Sequence, residues 1–427
     1  MLEMIGVGPF ITIPVLLASM SGPQSMLGWV LGALIALCDG MVWAELGAAM
    51  PGTGGPYHYL SEAYGPRSFG RLLSFLFIWQ NMLLGPLTLA SGAVGFAQYL
   101  AYFYKGMSWT GEKAIAIAVT LLITFLLYRD IRSIGRLSVA MWTVVVATAL
   151  WIVVTGLIHF DPHLAFHFPP GAFAPSRSFF FGLGGATLIA MYDYGGYNNV
   201  CFFAGEIKRP ERVIPQAILL SIVAVATIYL TMNVTIVGVI PWDQAVHSTT
   251  IVSDFIQRIH GPGGAKLVTV LVLWTALGSL FALLLGLSRV PYAAAVDGRF
   301  FKPFARLHPT RNCPGFSLWF LGLVTAVCTI FNLDTLIKAL IVIQVLAQSL
   351  ALVVAIPLIR RRRDIPRPFS MPLYPLTAIV AFAGWLYILI GSGWVFIAWG
   401  MALVALGVAS YLVRALHVRE WPFEATA

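Results

Sequence analysis

The sequence predicts an all-α membrane protein with about twelve transmembrane helices. Hydrophobic residues make up 59% of the 427 residues and charged residues only 10%, whereas about a quarter of the residues in soluble domains are charged. The apolar residues form long continuous runs, and about 20 apolar residues cross a bilayer as a helix. This continuity excludes a transmembrane β-barrel, whose strands alternate in polarity. We therefore expect one transmembrane domain over residues 1–427, with loops too short for a separate catalytic domain.

The predicted helices are delimited by the Gly, Pro and charged residues that interrupt the apolar runs. The spans are 2–20, 25–50, 66–103, 112–131, 133–159, 179–207, 212–240, 264–294, 314–331, 333–360, 371–390 and 392–416. The first span has no basic segment before it and no small-residue cleavage site, so we expect a retained helix rather than a signal peptide.

The basic residues set the predicted orientation. With a cytoplasmic N-terminus, twenty Lys and Arg residues, including the run Arg360–Arg363, fall on the inner side and five on the outer side. Cytoplasmic loops of membrane proteins carry such an excess. We therefore expect cytoplasmic N- and C-termini in a plasma membrane or bacterial inner membrane. The same distribution accounts for the net charge of +9 without a nucleic-acid partner.

Two spans are interrupted in corresponding positions. The first contains Gly6-Val7-Gly8-Pro9 and the sixth contains Tyr192-Asp193-Tyr194-Gly195-Gly196. Gly costs about 1 kcal/mol and Pro about 3 kcal/mol in a helix interior, and lipid cannot satisfy the freed backbone groups, so a broken helix is expected to line a cavity. The first and sixth spans run in opposite directions, as broken helices do at the substrate site of transporters built from inverted repeats. Close packing of helices through small residues is the alternative for either break alone.

At these residues the sequence resembles the amino acid–polyamine–organocation superfamily. The matching segments are Gly6–Phe10, Ala44–Gly47, Pro51–Tyr57, Glu62–Pro66, Tyr194–Asn198 and Gly205–Glu211. The resemblance implies a LeuT-type fold with a first inverted repeat at 1–159, a second at 179–360 and two further helices at 371–416. It also implies a secondary transporter, either a symporter or an exchanger, that moves amino acids by alternating access without a cofactor.

The resemblance implies where the substrate binds. The N–H groups of Val7 and Gly8 would hold a substrate carboxylate, as helix N-termini hold anions, and Phe10 belongs to the same predicted site. Carbonyl groups from Tyr192 to Gly195 would receive the substrate amine, with Gly196 beside them. Tyr192 would also cover the bound substrate.

Two carboxylates depart from the pattern of neutral amino-acid transporters. Asp193 lies inside the sixth-helix break, and Glu3 precedes the first break in a stretch that resembles polyamine–proton symporters. A carboxylate at membrane depth costs several kcal/mol unless it is paired or protonated. Asp193 could bind a substrate ammonium, carry a coupling proton or hydrogen-bond a neighbouring helix, and Glu3 could bind substrate or lie at an exposed helix start. A proton-coupled transporter of polyamines or other organic amines is therefore the alternative function.

Asp39, in the second span, is the other candidate for proton coupling, although a hydrogen bond between helices is the favoured interpretation. We expect Glu45 and Glu206 to pair with basic residues near the inner helix ends, and Asp334 to pair with Lys338 one turn further along its helix.

Other partners and function classes have weaker support. A channel needs rings of similar pore residues and an enzyme needs a polar constellation within the spans, so we expect no enzyme and regard a channel as remote. Asp161, His163 and His167 lack a fourth ligand, so we expect no metal site. The loop 104–112 contains no Cys, so no disulfide-linked heavy chain is expected.

Overall fold

The computed structural model describes residues 4, 6–52, 55–104, 106–129, 134–308 and 313–423, with the side chains of 129, 134–142, 203 and 206 excepted. The predicted site residue Glu3 lies outside the described residues, as does the side chain of Glu206. The described part of the chain consists of helices and loops and contains no β-strand.

The described residues form α-helices connected by short loops. In chain order these are α1 (Gly8–Ile11), α2 (Ile13–Met20), α3 (Leu27–Ala49), α4 (Pro56–Tyr64), α5 (Phe69–Ala101), α6 (Trp109–Arg129), α7 (Ile134–Ile158), α8 (Pro162–Ala165), α9 (Arg177–Tyr194), α10 (Pro210–Val237), α11 (Trp242–Ala245), α12 (Ile251–Val296), α13 (Gly315–Cys328), α14 (Leu333–Gln344), α15 (Leu350–Arg361), α16 (Leu376–Gly391) and α17 (Trp394–Val418). A π-helical segment, Val345–Ser349, joins α14 to α15, and 3₁₀-helices occur at Pro23–Met26, Tyr197–Glu206 and Lys302–Ala305.

Seven helical segments of the described chain are long and apolar enough to cross a membrane. They are Pro23–Ala49, Phe69–Ala101, Trp109–Tyr128, Pro210–Val237, Ile251–Val296, Leu333–Arg361 and Trp394–Val418, and three shorter apolar helices lie at Thr143–Ile158, Gly315–Cys328 and Leu376–Gly391. The chain is therefore a multi-pass membrane protein, as its composition predicts.

Both predicted breaks are present, and the second ends its helix. In the first break, Gly6 and Val7 are not helical, and Gly8 and Pro9 begin α1, which is joined to α2 through Thr12. The sixth span was predicted over 179–207 with a break at Tyr192–Gly196, and α9 ends within this break at Tyr194, after which the chain continues as the 3₁₀-helix Tyr197–Glu206. Gly195 has φ −54° and ψ 151°, which any residue can adopt, whereas Gly196 has φ 103°. The left-handed conformation of Gly196 thus turns the chain out of the helix.

Gly196→Ala is expected to destabilise the protein by about 1–2 kcal/mol, because a Cβ is costly in the left-handed region. Gly195→Ala is the matched control for the backbone conformation, since its φ and ψ tolerate a side chain. Its added Cβ would lie 3.1 Å from the Tyr192 carbonyl oxygen, a close contact that requires a shift of a few tenths of an ångström. Thermal unfolding of both variants in detergent provides the comparison. Equal stability of the two variants would contradict this assignment.

Two further elements differ from the prediction. The eighth span was predicted over 264–294, but α12 begins at Ile251 and is interrupted at Gly261, where φ is 73°. Because the backbone at Gly261 is not helical, the amphipathic segment 251–260 is a separate helix, and the helix that follows it over 262–296 agrees with the predicted span. The segment Pro56–Tyr64, predicted as part of a connection, forms α4 between Gly55 and Gly65, whose φ values are 53° and 96°.

The long helices pack in pairs around the two breaks. Helix α2 contacts α9, α3 contacts α10, α5 contacts α12 and α6 contacts α13. The first pair brings the two interrupted spans together in the middle of the bundle. The paired helices α5 and α12 form the walls on either side of the breaks.

Candidate substrate site between two broken helices

A cavity of about 210 Å³ lies between the two interrupted spans. The residues of the two breaks that line it are Gly6, Val7, Gly8, Pro9, Tyr192, Asp193, Gly195 and Gly196. The structure therefore brings together the two segments that the sequence singled out 180 residues apart. Most of the predicted site residues lie within this lining.

The remaining cavity wall is built from α5, α12, the α14–α15 helix and the 3₁₀-helix after the second break. It contributes polar side chains that the sequence analysis did not select: Asn81, Thr88, Asn198, Asn199, Ser279, Gln344 and Gln348. On α5 and on α14–α15, the polar and apolar residues that line the cavity follow one another at intervals of three or four. Residues at this spacing lie on one face of a helix. Polar residues at this spacing within apolar spans were the signal that could have identified them.

Asp193 reaches from the second break to the first. Its side chain is 4% exposed, and its Oδ2 accepts a 2.6 Å hydrogen bond from the Thr12 hydroxyl, which lies between α1 and α2. Its Oδ1 is buried and has no hydrogen-bond partner among the described residues. A Cβ added to Gly8 would lie 2.2 Å from this Oδ1. The carboxylate therefore occupies the space that the absence of a side chain at Gly8 leaves open.

Tyr192 is held across the cavity by α5. Its hydroxyl and the hydroxyl of Ser91 share a 2.6 Å hydrogen bond, and its ring lies 3.3 Å from a Cβ added to Gly8. Ser91 was not selected from the sequence, because a Ser in an apolar helix commonly bonds only to its own backbone.

Phe10 and Asp39 lie outside the cavity lining. Phe10 is buried, and its carbonyl accepts a 2.7 Å hydrogen bond from the Tyr99 hydroxyl. Asp39 is buried on α3 and accepts hydrogen bonds from the Tyr197 hydroxyl at 2.6 Å and the Trp385 Nε1 at 2.9 Å. Asp39 therefore links α3, α16 and the 3₁₀-helix that follows the second break.

Two predicted ion pairs are present at the ends of the bundle. Arg360 donates two hydrogen bonds to Glu45, at 2.7 and 2.6 Å, and Lys338 donates one to Asp334 at 2.8 Å. Asp334 and Lys338 line a second cavity, of about 640 Å³, which residues of α2 also line. The Glu45–Arg360 pair lies at the opposite end, which also carries Arg71 and Arg299.

The loops at the end that carries Arg360 are tied together by polar contacts. The Tyr57 hydroxyl donates a 2.6 Å hydrogen bond to Asp297, and burial together with this bond raises the pKa of Tyr57 to about 12. Arg362 contacts Glu62 at 3.2 Å and Asp364 at 2.6 Å, and its hydrogen bonds lower the pKa of Asp364. Helix α4 is thereby attached to the loops after α12 and α15.

Comparison with known proteins identifies the family. Residues 2–405 match the family described as amino acid permease. The chain is similar to the branched-chain amino acid permease BcaP of Bacillus subtilis, at 24% identity over 92% of this chain and 86% of the relative. It is also similar to two other Bacillus subtilis proteins: an aspartate-proton symporter, at 27% identity over 90% of this chain and 75% of the relative, and the serine/threonine exchanger SteT, at 26% identity over 90% and 86%.

These relatives are transporters and not enzymes. The family match covers nearly the whole chain, including both breaks and every helix that lines the cavity. The chain therefore belongs to the amino acid permease family of the amino acid–polyamine–organocation superfamily.

Proposed function

We propose that this protein is a secondary transporter that carries amino acids across the membrane by alternating access. The observation that supports this most directly is the cavity of about 210 Å³ between the two breaks. Its volume is below the range of about 300–1,000 Å³ typical of sites for drug-sized ligands, and so suits a small solute. The three relatives named above act on amino acids according to their names.

The helix pairing supports a LeuT-type fold with inverted repeats at 1–159 and 179–360 and twelve transmembrane segments. Counting α1–α2, α9 with its 3₁₀-helix, and α14–α15 as single interrupted spans, the described helices supply segments one to twelve. Helices five positions apart in that order contact each other, since α3 packs on α10, α5 on α12 and α6 on α13. An axis relating two repeats of five helices produces such pairs.

Two cavities at opposite ends support alternating access. The first extends from the breaks past Asn81 and Gln348 toward the end that carries Arg360. The second is lined by residues of α2 and by the Asp334–Lys338 pair. Between them lies a closed layer in which the Tyr99 hydroxyl donates to the Phe10 carbonyl and accepts from the Val252 N–H at 3.3 Å. With the arginine-rich end and both termini in the cytoplasm, the first cavity lies on the cytoplasmic side of this layer and the second on the outer side.

Within the site, the backbone at Val7 and Gly8 would receive the substrate carboxylate, and the carbonyls before Gly195 would receive its amine. Tyr192, fixed by Ser91, would close over the bound molecule. This arrangement uses backbone groups that only an interrupted helix leaves available.

Transport of organic amines such as polyamines is the second candidate function. One observation favours it: the Asp193 Oδ1 is buried at the cavity without a hydrogen-bond partner among the described residues, and an ammonium would satisfy it.

Uptake into proteoliposomes tests the proposal. Purified protein should be stabilised against thermal unfolding by at least one of the twenty amino acids, because a ligand that binds only the folded state stabilises it, and vesicles should then accumulate that amino acid saturably. Stabilisation and uptake restricted to putrescine or spermidine would instead establish the amine function. Protein-free vesicles serve as the control.

A further inference from the structure

The described residues that line the cavity include one carboxylate and no basic side chain. Asp193 is the single Asp, Glu, Lys, Arg or His among the described residues that line it, and the other polar members are amides, hydroxyls and Tyr192. The Oδ2 of Asp193 is occupied by the Thr12 hydroxyl, and its Oδ1 is buried and unpartnered in the described chain. The cavity is therefore charged negatively whenever Asp193 is ionised and no cation is bound.

No neighbouring helix supplies a compensating charge in the described structure. The titratable groups that face Asp193 are three tyrosines, Tyr192 and Tyr194 beside it and Tyr229 on α10. Helix α5 contributes the Ser91 hydroxyl and the first span contributes the Thr12 hydroxyl. No described protein group supplies the counter-charge for Asp193, so we expect it to come from the solution, as a proton or as part of the substrate.

The charge of the occupied cavity depends on the substrate. A zwitterionic amino acid carries one ammonium and one carboxylate, so it leaves the negative charge of Asp193 uncompensated. A cationic amino acid carries one further positive charge, which balances Asp193. Because a net charge at membrane depth is costly, occupancy is favoured when the charges of substrate, proton and Asp193 sum to zero.

We infer that each amino acid occupies this cavity together with one positive charge that neutralises Asp193: a proton for a zwitterionic substrate, and the side-chain cation for a cationic one. This inference rests on the proposed amino-acid transport and names its coupling. It makes the protein a proton symporter for neutral amino acids and a proton-independent carrier for arginine-like ones.

The proton transfer balances simply. When the cavity opens to solution, a hydronium ion gives a proton to the Oδ1 of Asp193 and becomes water, and no other protein group gains or loses a proton. The resulting O–H is a donor and no longer an anion, so it can hydrogen-bond the substrate carboxylate instead of repelling it. When the cavity opens on the other side, the substrate leaves and the proton returns to water from the same oxygen.

Binding calorimetry in two buffers of different ionisation enthalpy tests the inference, because the difference in heat reports protons taken up. We expect the wild-type protein to take up one proton more for each L-leucine, L-serine or L-threonine bound than for each L-arginine bound, whichever protonation state Asp193 has in the empty cavity. Asp193→Asn should bind the zwitterion with no proton uptake, and should bind L-arginine about thirty-fold or more weakly because one side of a buried charge pair is lost. Asp243→Asn, at an exposed position in α11, should behave as wild type.

Two results would overturn the inference while leaving amino-acid transport intact: an equal proton count for a zwitterion and for L-arginine in the wild-type protein, or an unchanged difference between them in Asp193→Asn. Failure of every amino acid to bind wild-type protein, at any pH tested, would contradict the proposed function and this inference together. Thermal unfolding of Asp193→Asn distinguishes a binding defect from a folding defect.

Discussion

Gly8→Ala should lower substrate affinity and uptake at least tenfold. The added methyl would lie 2.2 Å from the Asp193 Oδ1 and 3.3 Å from the Tyr192 ring, so the carboxylate would have to rotate away. Rotation would break the 2.6 Å hydrogen bond to Thr12, and a hydrogen bond to a charged group contributes about 1.5–3 kcal/mol. About 1.4 kcal/mol corresponds to a factor of ten in affinity. Uptake into proteoliposomes and thermal shift with substrate measure the effect.

Gly6→Ala is the matched control for this substitution. Gly6 lies in the same break and lines the same cavity. The atom nearest to a Cβ added at Gly6 is the hydroxyl oxygen of Ser279, at 3.3 Å. A small adjustment of that hydroxyl accommodates the methyl, so Gly6→Ala should retain most of the uptake. Wild-type uptake by Gly8→Ala, at equal abundance in the membrane, would remove Gly8 from the site and leave it as a position of close packing.

Arg360→Ala should lower the free energy of unfolding by about 3–5 kcal/mol, because it leaves a buried charge without its partner. The Glu45 side chain is 1% exposed and accepts two hydrogen bonds from Arg360 and one, at 2.8 Å, from the Met371 N–H. The guanidinium also lies 3.7 Å from the centre of the Tyr374 ring. Denaturant unfolding in detergent micelles measures the change.

Arg363→Ala provides the control, since Arg363 is exposed in the same basic run and its removal should change stability by less than about 0.5 kcal/mol. The double variant Glu45→Ala with Arg360→Ala should lose less stability than the sum of the single variants, because neither partner is then left unpaired. Equal effects of Arg360→Ala and Arg363→Ala would show that the whole run serves only to orient the chain in the membrane.

The breaks and most of the spans were predictable because they depend on local properties. Composition reveals an apolar span, and Gly and Pro interrupt a helix wherever they occur in it. The backbone conformation at the second break was harder to predict. The sequence does not distinguish Gly195 from Gly196, and only the structure shows that Gly196 has the positive φ.

Contacts between distant segments were not predictable from a single sequence. Thr12 and Asp193 are 181 residues apart, and nothing near Thr12 distinguishes it from other hydroxyls in apolar helices. The sequence also suggested that Glu45 would pair with a basic residue at the inner end, but not that the partner would be Arg360, 315 residues further along. Phe10 belongs to the break motif but lies outside the cavity lining, because membership of the motif does not determine on which side of the helix a residue lies.

The π-helical segment Val345–Ser349 determines the angle around the helix axis between the side chains of α14 and those of α15. Each residue of an α-helix advances by about 100° around the axis. One extra residue in a turn therefore changes the direction of every side chain that follows it. Gln344, before the segment, and Gln348, within it, both line the cavity, and Gln348 accepts a 2.5 Å hydrogen bond from Gln80. Further along, the same helix directs Arg360 toward Glu45. The inserted residue thus changes, by about 100° around the helix axis, the angle between the amides that line the cavity near the middle of this span and the cation that contacts α3 at its end.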